Sequence, residues 1–305
     1  MTPFWLDLGD VAVVPVVETP RLLIAPGEFF PGLDVDADAW CFREPWFETA
    51  ASRLVYAIQS FLVVTPEQIV LVDACVGAGK RRARPEFDDL DPCWLAALEA
   101  TGVARSAVTS VILTHLHVDH VGWATREHDG CHEAMFPNAR HCVTAAEYEY
   151  WTSAAGAAAM QRTGDYLADS VRPLANQGLL DLVPADADIC SAVRLVPAFG
   201  HTPGNVAVHV SGSDGDLLLV GDAVHHPLQL WQPELSTRYC VRPGEAAQTR
   251  RRLLDQAAAS GTPVLPAHFA HPSAGRLVAA GAGYAFHPAS DILRTGQYLV
   301  RRRVP

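Results

Sequence analysis

The stretch THLHVDHVG, residues 114–122, packs three histidines and an aspartate into six positions: His115, His117, Asp119 and His120. Neutral imidazole nitrogens and carboxylate oxygens are the donors that zinc and related divalent cations accept. The segment continues SVILT (110–114), a short apolar run that reads as a buried strand. Strand side chains alternate with period two, so residues 115 and 117 can point to one side while the following turn aims Asp119 and His120 at an adjacent position. Four donors from so short a segment suit two neighbouring cations better than one. With 13 histidines in 305 residues, the pattern HxHxDH arises by chance roughly 0.002 times, so the fold must be one that brings further donors to the end of this strand.

Other apolar runs supply them. VAVVPVV (11–17), LVYAIQSFLVV (54–64), QIVLVD (68–73), VRLVPAF (193–199), NVAVHV (205–210), DLLLVG (216–221) and PVLPA (263–267) all read as strands. Asp73, His201, Asp222 and His268 each follow one of these runs directly, at the carboxyl edge where sheets covered by helices gather their sites. An isolated core histidine would not fall at such an edge repeatedly. Helical patterns at 92–101, 144–151, 165–178 and 243–259 intervene, the last with Pro243 to start it and Gly261 to end it. Strands alternating with helices predict layered α/β architecture rather than an all-β sandwich.

Composition narrows the function. A net charge of −11 leaves no basic stripe for a phosphate backbone, so nucleic acid is not an expected partner; Arg301-Arg302-Arg303 reads as a solvated end. Seven cysteines, odd in number and never spaced CxxC, fit idle thiols in a reducing compartment. The acidic N-terminal segment and the absence of a long apolar run predict no signal peptide and no membrane span, hence a cytoplasmic location. No linker divides residues 1–305, which are expected to form a single domain. Residues 27–50 carry Phe29, Phe30, Trp40, Phe42, Trp46 and Phe47 without periodicity, the pattern of an aromatic flap or of a contact in a homodimer.

The HxHxDH motif with its downstream donors resembles the metallo-β-lactamase superfamily, over about residues 54–270. The resemblance implies an αββα sandwich, two mixed β-sheets flanked by helices. It implies that His115, His117 and His201 bind a first metal, that Asp119, His120 and His268 bind a second, and that Asp222 bridges both. Asp73 matches an aspartate that orients a ligand histidine. The stretches 129–151 and 221–239 look most like the methyl parathion hydrolase and N-acyl-homoserine lactonase branch. Asn205 departs from it, standing where many relatives carry a second histidine after HTPG.

The cofactors this implies are two divalent ions, zinc first, with manganese, cobalt and iron compatible with the same donors. Their shared hydroxide would be the nucleophile, with Asp222 holding the bridge and Asp119 passing a proton to the leaving group. No GxSxG elbow competes for that role. The expected function is therefore a lactonase or carboxylesterase with phosphotriesterase side activity, acting on a small neutral ester or lactone. A thioesterase or a β-lactamase fits the same site. An iron-dependent oxidoreductase of the flavodiiron or sulfur dioxygenase type belongs to another class, though flavodiiron sites place Glu where His117 stands. The substrate pocket is expected to draw on Phe29, Phe30, Trp40, Trp46, Tyr148, Trp151, His225 and His226.

Overall fold

The computed structural model describes residues 4–34, 45–91, 93–271, 273–296 and 298. Trp40 and residues 35–44 of the aromatic segment lie outside the described residues, as does Arg301-Arg302-Arg303.

Among the described residues two large sheets form. The first runs in the order Leu180–Val183, Arg140–Thr144, Ser110–Ile112, Ile69–Val72, Arg53–Val64, Ala12–Ile24, Phe4–Asp7 and Leu293–Thr295, with Phe47–Glu48 against Arg53–Val64. Its first four strands are mutually parallel and the rest antiparallel, so it is mixed. The second runs Asp188–Cys190, Val193–Pro197, Val206–Gly212, Gly215–Gly221, Val264–Pro266, Gly275–Ala280 and Gly283–Pro288. Only Gly215–Gly221 and Val264–Pro266 pair in parallel there.

Continuous apolar runs are what strands buried on both faces require. Successive residues divide between layers. Phe61, Val63, Val70, Val72 and Ile112 of the first sheet meet Val206, Val208, Val210, Leu217, Leu219 and Leu265 of the second in one shared core. The alternate residues Leu62, Val64, Ile69, Leu71 and Val111 face the other way, onto Trp94, Leu98 and Leu174 of covering helices. Ala207, Leu218 and Val220 face helix Pro243–Ser260 through Leu253, Leu254 and Ala257. The layers are thus helix, sheet, sheet, helix, and the fold is α/β. Each fully buried Val or Leu in these layers contributes about 1.5–3 kcal/mol.

Pro243 sits in the first turn of its helix and Gly261 adopts φ +72° just past the end, so both boundary signals act where the sequence places them. The pattern at 165–178 does not give one helix. It splits into Leu167–Ser170 and Arg172–Asn176 at Val171 (φ −120°, ψ −46°), because Pro173 has no N–H to donate to the Asp169 carbonyl. That carbonyl instead accepts from Lys80 Nζ at 3.3 Å and from Thr125 Oγ1.

Of the aromatic segment, the described Phe29, Phe30 and Phe47 are buried in the core. Among the described residues no helix is long and apolar enough to cross a membrane.

Candidate metal centre

The loops that leave the carboxyl ends of five strands converge on one edge of the sandwich. After Ser110–Ile112 the chain runs through His115 and His117 into the single turn Val118–Val121, with His117 at its cap position and Asp119 and His120 inside it. His115 and His117 therefore lie beyond the strand rather than on it.

The structure brings the seven candidate donor residues into two largely buried groups, with His117 partly exposed. His115, His117, His201 and Asp222 form one; Asp119, His120 and His268 form the other; within each group the donor atoms lie within 4.8 Å of one another. His117 Nδ1 lies 2.9 Å from both His115 Nε2 and His201 Nε2. The two oxygens of Asp222 face different groups: Oδ2 is 3.1 Å from His201 Nε2, whereas Oδ1 is 2.9 Å from His268 Nε2 and 3.4 Å from His120 Nε2.

Partners outside the groups fix how four of the five rings, those of His115, His120, His201 and His268, present their lone pairs. Asp73 Oδ2 lies 2.8 Å from His120 Nδ1, which leaves His120 Nε2 facing inward. Asp73 Oδ1 also accepts from the Thr114 backbone N–H at 2.8 Å, and Thr114 Oγ1 lies 3.2 Å from His115 Nδ1. His268 Nδ1–H donates to the Ala57 carbonyl at 2.8 Å. Cys240 Sγ lies 3.5 Å from His201 Nδ1, so a thiol stands where a carboxylate or carbonyl is the usual partner. Asp73 adopts φ +60° to make these contacts, a left-handed conformation that aspartate tolerates better than most residues.

Electrostatics agree with a cation-binding role. Burial holds His117 down to about 3 and His201 to about 4, so both stay neutral with free lone pairs at ordinary pH. Burial acts on His120 in the same direction but is outweighed by Asp222, Asp73 and Asp119, which hold its imidazole well above the usual range. Burial would raise Asp222, but His268, His120, His225 and His115 outweigh it and hold the carboxyl well below the usual carboxylate range. Buried His120 Nε2 and Asp222 Oδ1 have no hydrogen-bond partner among the described residues. Two inward-facing buried atoms that each present a lone pair in one cluster fit a shared divalent cation.

A cavity of about 540 Å³ opens onto these groups. Of the residues expected in its wall, Phe29, Trp151 and His225 line it, as do Asp119, His117, His201 and Asp222. Phe30, Trp46, Tyr148 and His226 do not. Phe30 backs Phe29 with ring centroids 4.8 Å apart, and Trp46 packs on Phe269 and Phe286. Tyr148 sits half-buried against the outer core. His226 Nε2–H donates to the Trp46 carbonyl at 2.8 Å. His225 Nε2 approaches Asp222 Oδ2 at 3.1 Å and its ring lies 5.8 Å from that of Phe29.

Three features escape the sequence reading. Tyr56 lines the cavity, its hydroxyl 2.9 Å from Asp119 Oδ2 and 2.8 Å from His268 Nε2. It stands near the amino end of Arg53–Val64, which runs antiparallel to Ile69–Val72 and so places its start at the edge where the parallel strands end. A search for donors only after strands passes over it. Glu147, fully buried, accepts from the backbone N–H groups of Leu116 and Gly204, both at 2.9 Å, and so ties the His115–His117 loop to the His201 loop. Arg84, Arg162 and Arg238 reach the cavity wall, with Arg84 paired to Glu86.

The profile described as the metallo-beta-lactamase superfamily matches residues 54–268. The N-acyl homoserine lactonase AttM of Azorhizobium caulinodans is 29% identical over 184 residues, covering 57% of this chain and 63% of AttM, just under two thirds of that relative's length. Among solved structures, the chain is similar to AidC, a dizinc quorum-quenching lactonase, with TM-score 0.77, 22% identity, and 94% and 97% of the two chains covered. It is equally similar to the hydrolase AbOPH, with TM-score 0.78, 23% identity, and 94% and 98% covered. At such identities these structures speak for the fold alone. The layered sheets, the converging edge and the matched residues together establish that the chain belongs to the metallo-β-lactamase superfamily.

Proposed function

We propose that the protein is a dinuclear metal-dependent hydrolase of small esters, with lactones as its favoured substrates and zinc as its first metal. The observation that carries this reading is Asp222, whose Oδ2 faces His201 at 3.1 Å while its Oδ1 faces His268 at 2.9 Å. A carboxylate so placed is shared by two positions rather than owned by one. His115, His117 and His201 would complete the first, and Asp119, His120 and His268 the second. Held by these residues, two divalent cations would supply hydroxide near neutral pH and polarise the ester carbonyl.

The chain's own residues do the rest. Phe29 and Trp151 provide apolar walls for the acyl part of the substrate and exclude water from the donor edge. His225, on the cavity wall beside Asp222, offers its imidazole to the substrate carbonyl. Asp119, at the cavity face, carries a proton to the leaving oxygen. Lactones are favoured because the curated relative AttM is named an N-acyl homoserine lactonase. Other neutral esters and phosphotriesters would be slower substrates of the same site.

Asp222→Ala tests the shared carboxylate. The variant is expected to fold, to bind fewer than two equivalents of zinc by elemental analysis, and to lose lactone turnover by at least about 10³-fold, the scale of removing a principal electrostatic element. Full turnover with two bound equivalents would exclude the shared position.

A further inference from the structure

We infer that Tyr56 is a positioning residue that builds the second metal position, a role that rests on the dinuclear reading. Two observations converge on it. Its hydroxyl lies 2.9 Å from Asp119 Oδ2 and 2.8 Å from His268 Nε2, two of the three residues specific to that position. Its ring stacks on the His268 imidazole, centroids 4.0 Å apart and planes inclined by 16°.

The hydrogen-bond arithmetic gives the role a direction. A phenol has one proton to give. His268 Nδ1–H already donates to the Ala57 carbonyl, so Nε2 carries the lone pair. The single Tyr56 proton therefore faces two acceptors, Asp119 Oδ2 and His268 Nε2. With that lone pair taken up by a bound cation, the phenol proton would be committed to Asp119 and would restrain its carboxylate through Oδ2. The ring stack and the Ala57 carbonyl hold His268 from its other sides. At the first position Thr114 and Cys240 each support one histidine, and His225 approaches Asp222 Oδ2 at 3.1 Å and the His201 ring at 4.7 Å between centroids.

The test is Tyr56→Phe, which keeps the ring and deletes the hydroxyl. Zinc is titrated against a chromophoric chelator, and metal-free thermal denaturation is measured alongside. The expected result is a 10- to 100-fold weaker second equivalent, an unchanged first equivalent and a metal-free Tm within a few degrees of wild type. Equal affinity for both equivalents in the two proteins overturns the inference, as does equal weakening of both.

A wild-type measurement guards against a variant that does not fold. With tyrosine carbon-13 labelled at Cζ, one of the seven signals should move on adding the second zinc equivalent and stay still on the first. No signal moving at the second equivalent overturns the inference. Should wild type itself bind fewer than two equivalents, the dinuclear reading and this inference fall together. Two wild-type equivalents with an indifferent Tyr56→Phe variant sink only the role of Tyr56.

Discussion

At the scale of single residues, the donors are legible because their chemistry is rare and their spacing rarer. HxHxDH marks four of them, and Asp73, His201, Asp222 and His268 follow from their place after strand-like runs. What a residue list cannot show is direction. His225 and His226 are adjacent, yet His225 faces the cavity while His226 is spent on structure: its Nε2–H donates to Trp46 and its Nδ1 accepts from the Leu228 N–H at 3.3 Å. Burial holds His226 down to about 4, against about 6.5 in an unfolded chain. As pH falls from 6.5 towards 4, the unfolded chain takes up a proton at this residue and the folded one does not, so stability is lost on acidification. The loss from this group amounts to about 3 kcal/mol by pH 4. Urea denaturation at pH 7 and pH 4.5 should show a smaller difference in His226→Gln than in wild type, and identical differences would contradict a neutral, doubly bonded imidazole.

At the scale of elements, the apolar runs announce most of the inner strands, because strands buried on both faces need no polar alternation. The strands left unread are short or sit toward sheet edges. Arg140–Thr144 and Leu180–Val183 carry polar residues, and Gly275–Ala280 exposes its second half, so none offers a long apolar run. The ligand loops depend on close backbone approach that residue type alone hints at. A Cβ on Gly122, the last residue of THLHVDHVG, would overlap the Val76 carbonyl oxygen, and Gly122 N–H donates to the Cys75 carbonyl at 2.7 Å. The turn bearing Asp119 and His120 is thereby clamped to the loop that bears Asp73. Gly122→Ala must push these two loops apart, at a cost of about 3 kcal/mol in unfolding free energy, with weakened zinc binding as the accompanying sign. A variant with wild-type stability in chemical denaturation would show that the approach is not needed.

At the scale of the whole molecule, donors separated by up to 153 residues, from His115 to His268, reach one edge because two sheets share one core. Cations bound there would tie both sheets together. Binding to the folded chain alone stabilises it, by about 4 kcal/mol when free ion exceeds its dissociation constant a thousandfold. Removing metal with a chelator should therefore lower the Tm of wild type and change that of Asp222→Ala far less; equal shifts in both would argue against a shared site. The sequence by itself determined the candidate donor set, the alternation of strands and helices, and the edge at which these candidates stand, because these follow from local chemistry and periodicity. Only the tertiary structure decided which oxygen of Asp222 faces which group, that Tyr56 and Glu147 support the donors, and which aromatics form the cavity. Those depend on how two sheets cross and on which way side chains turn once packed, and neither is encoded within any one stretch of chain.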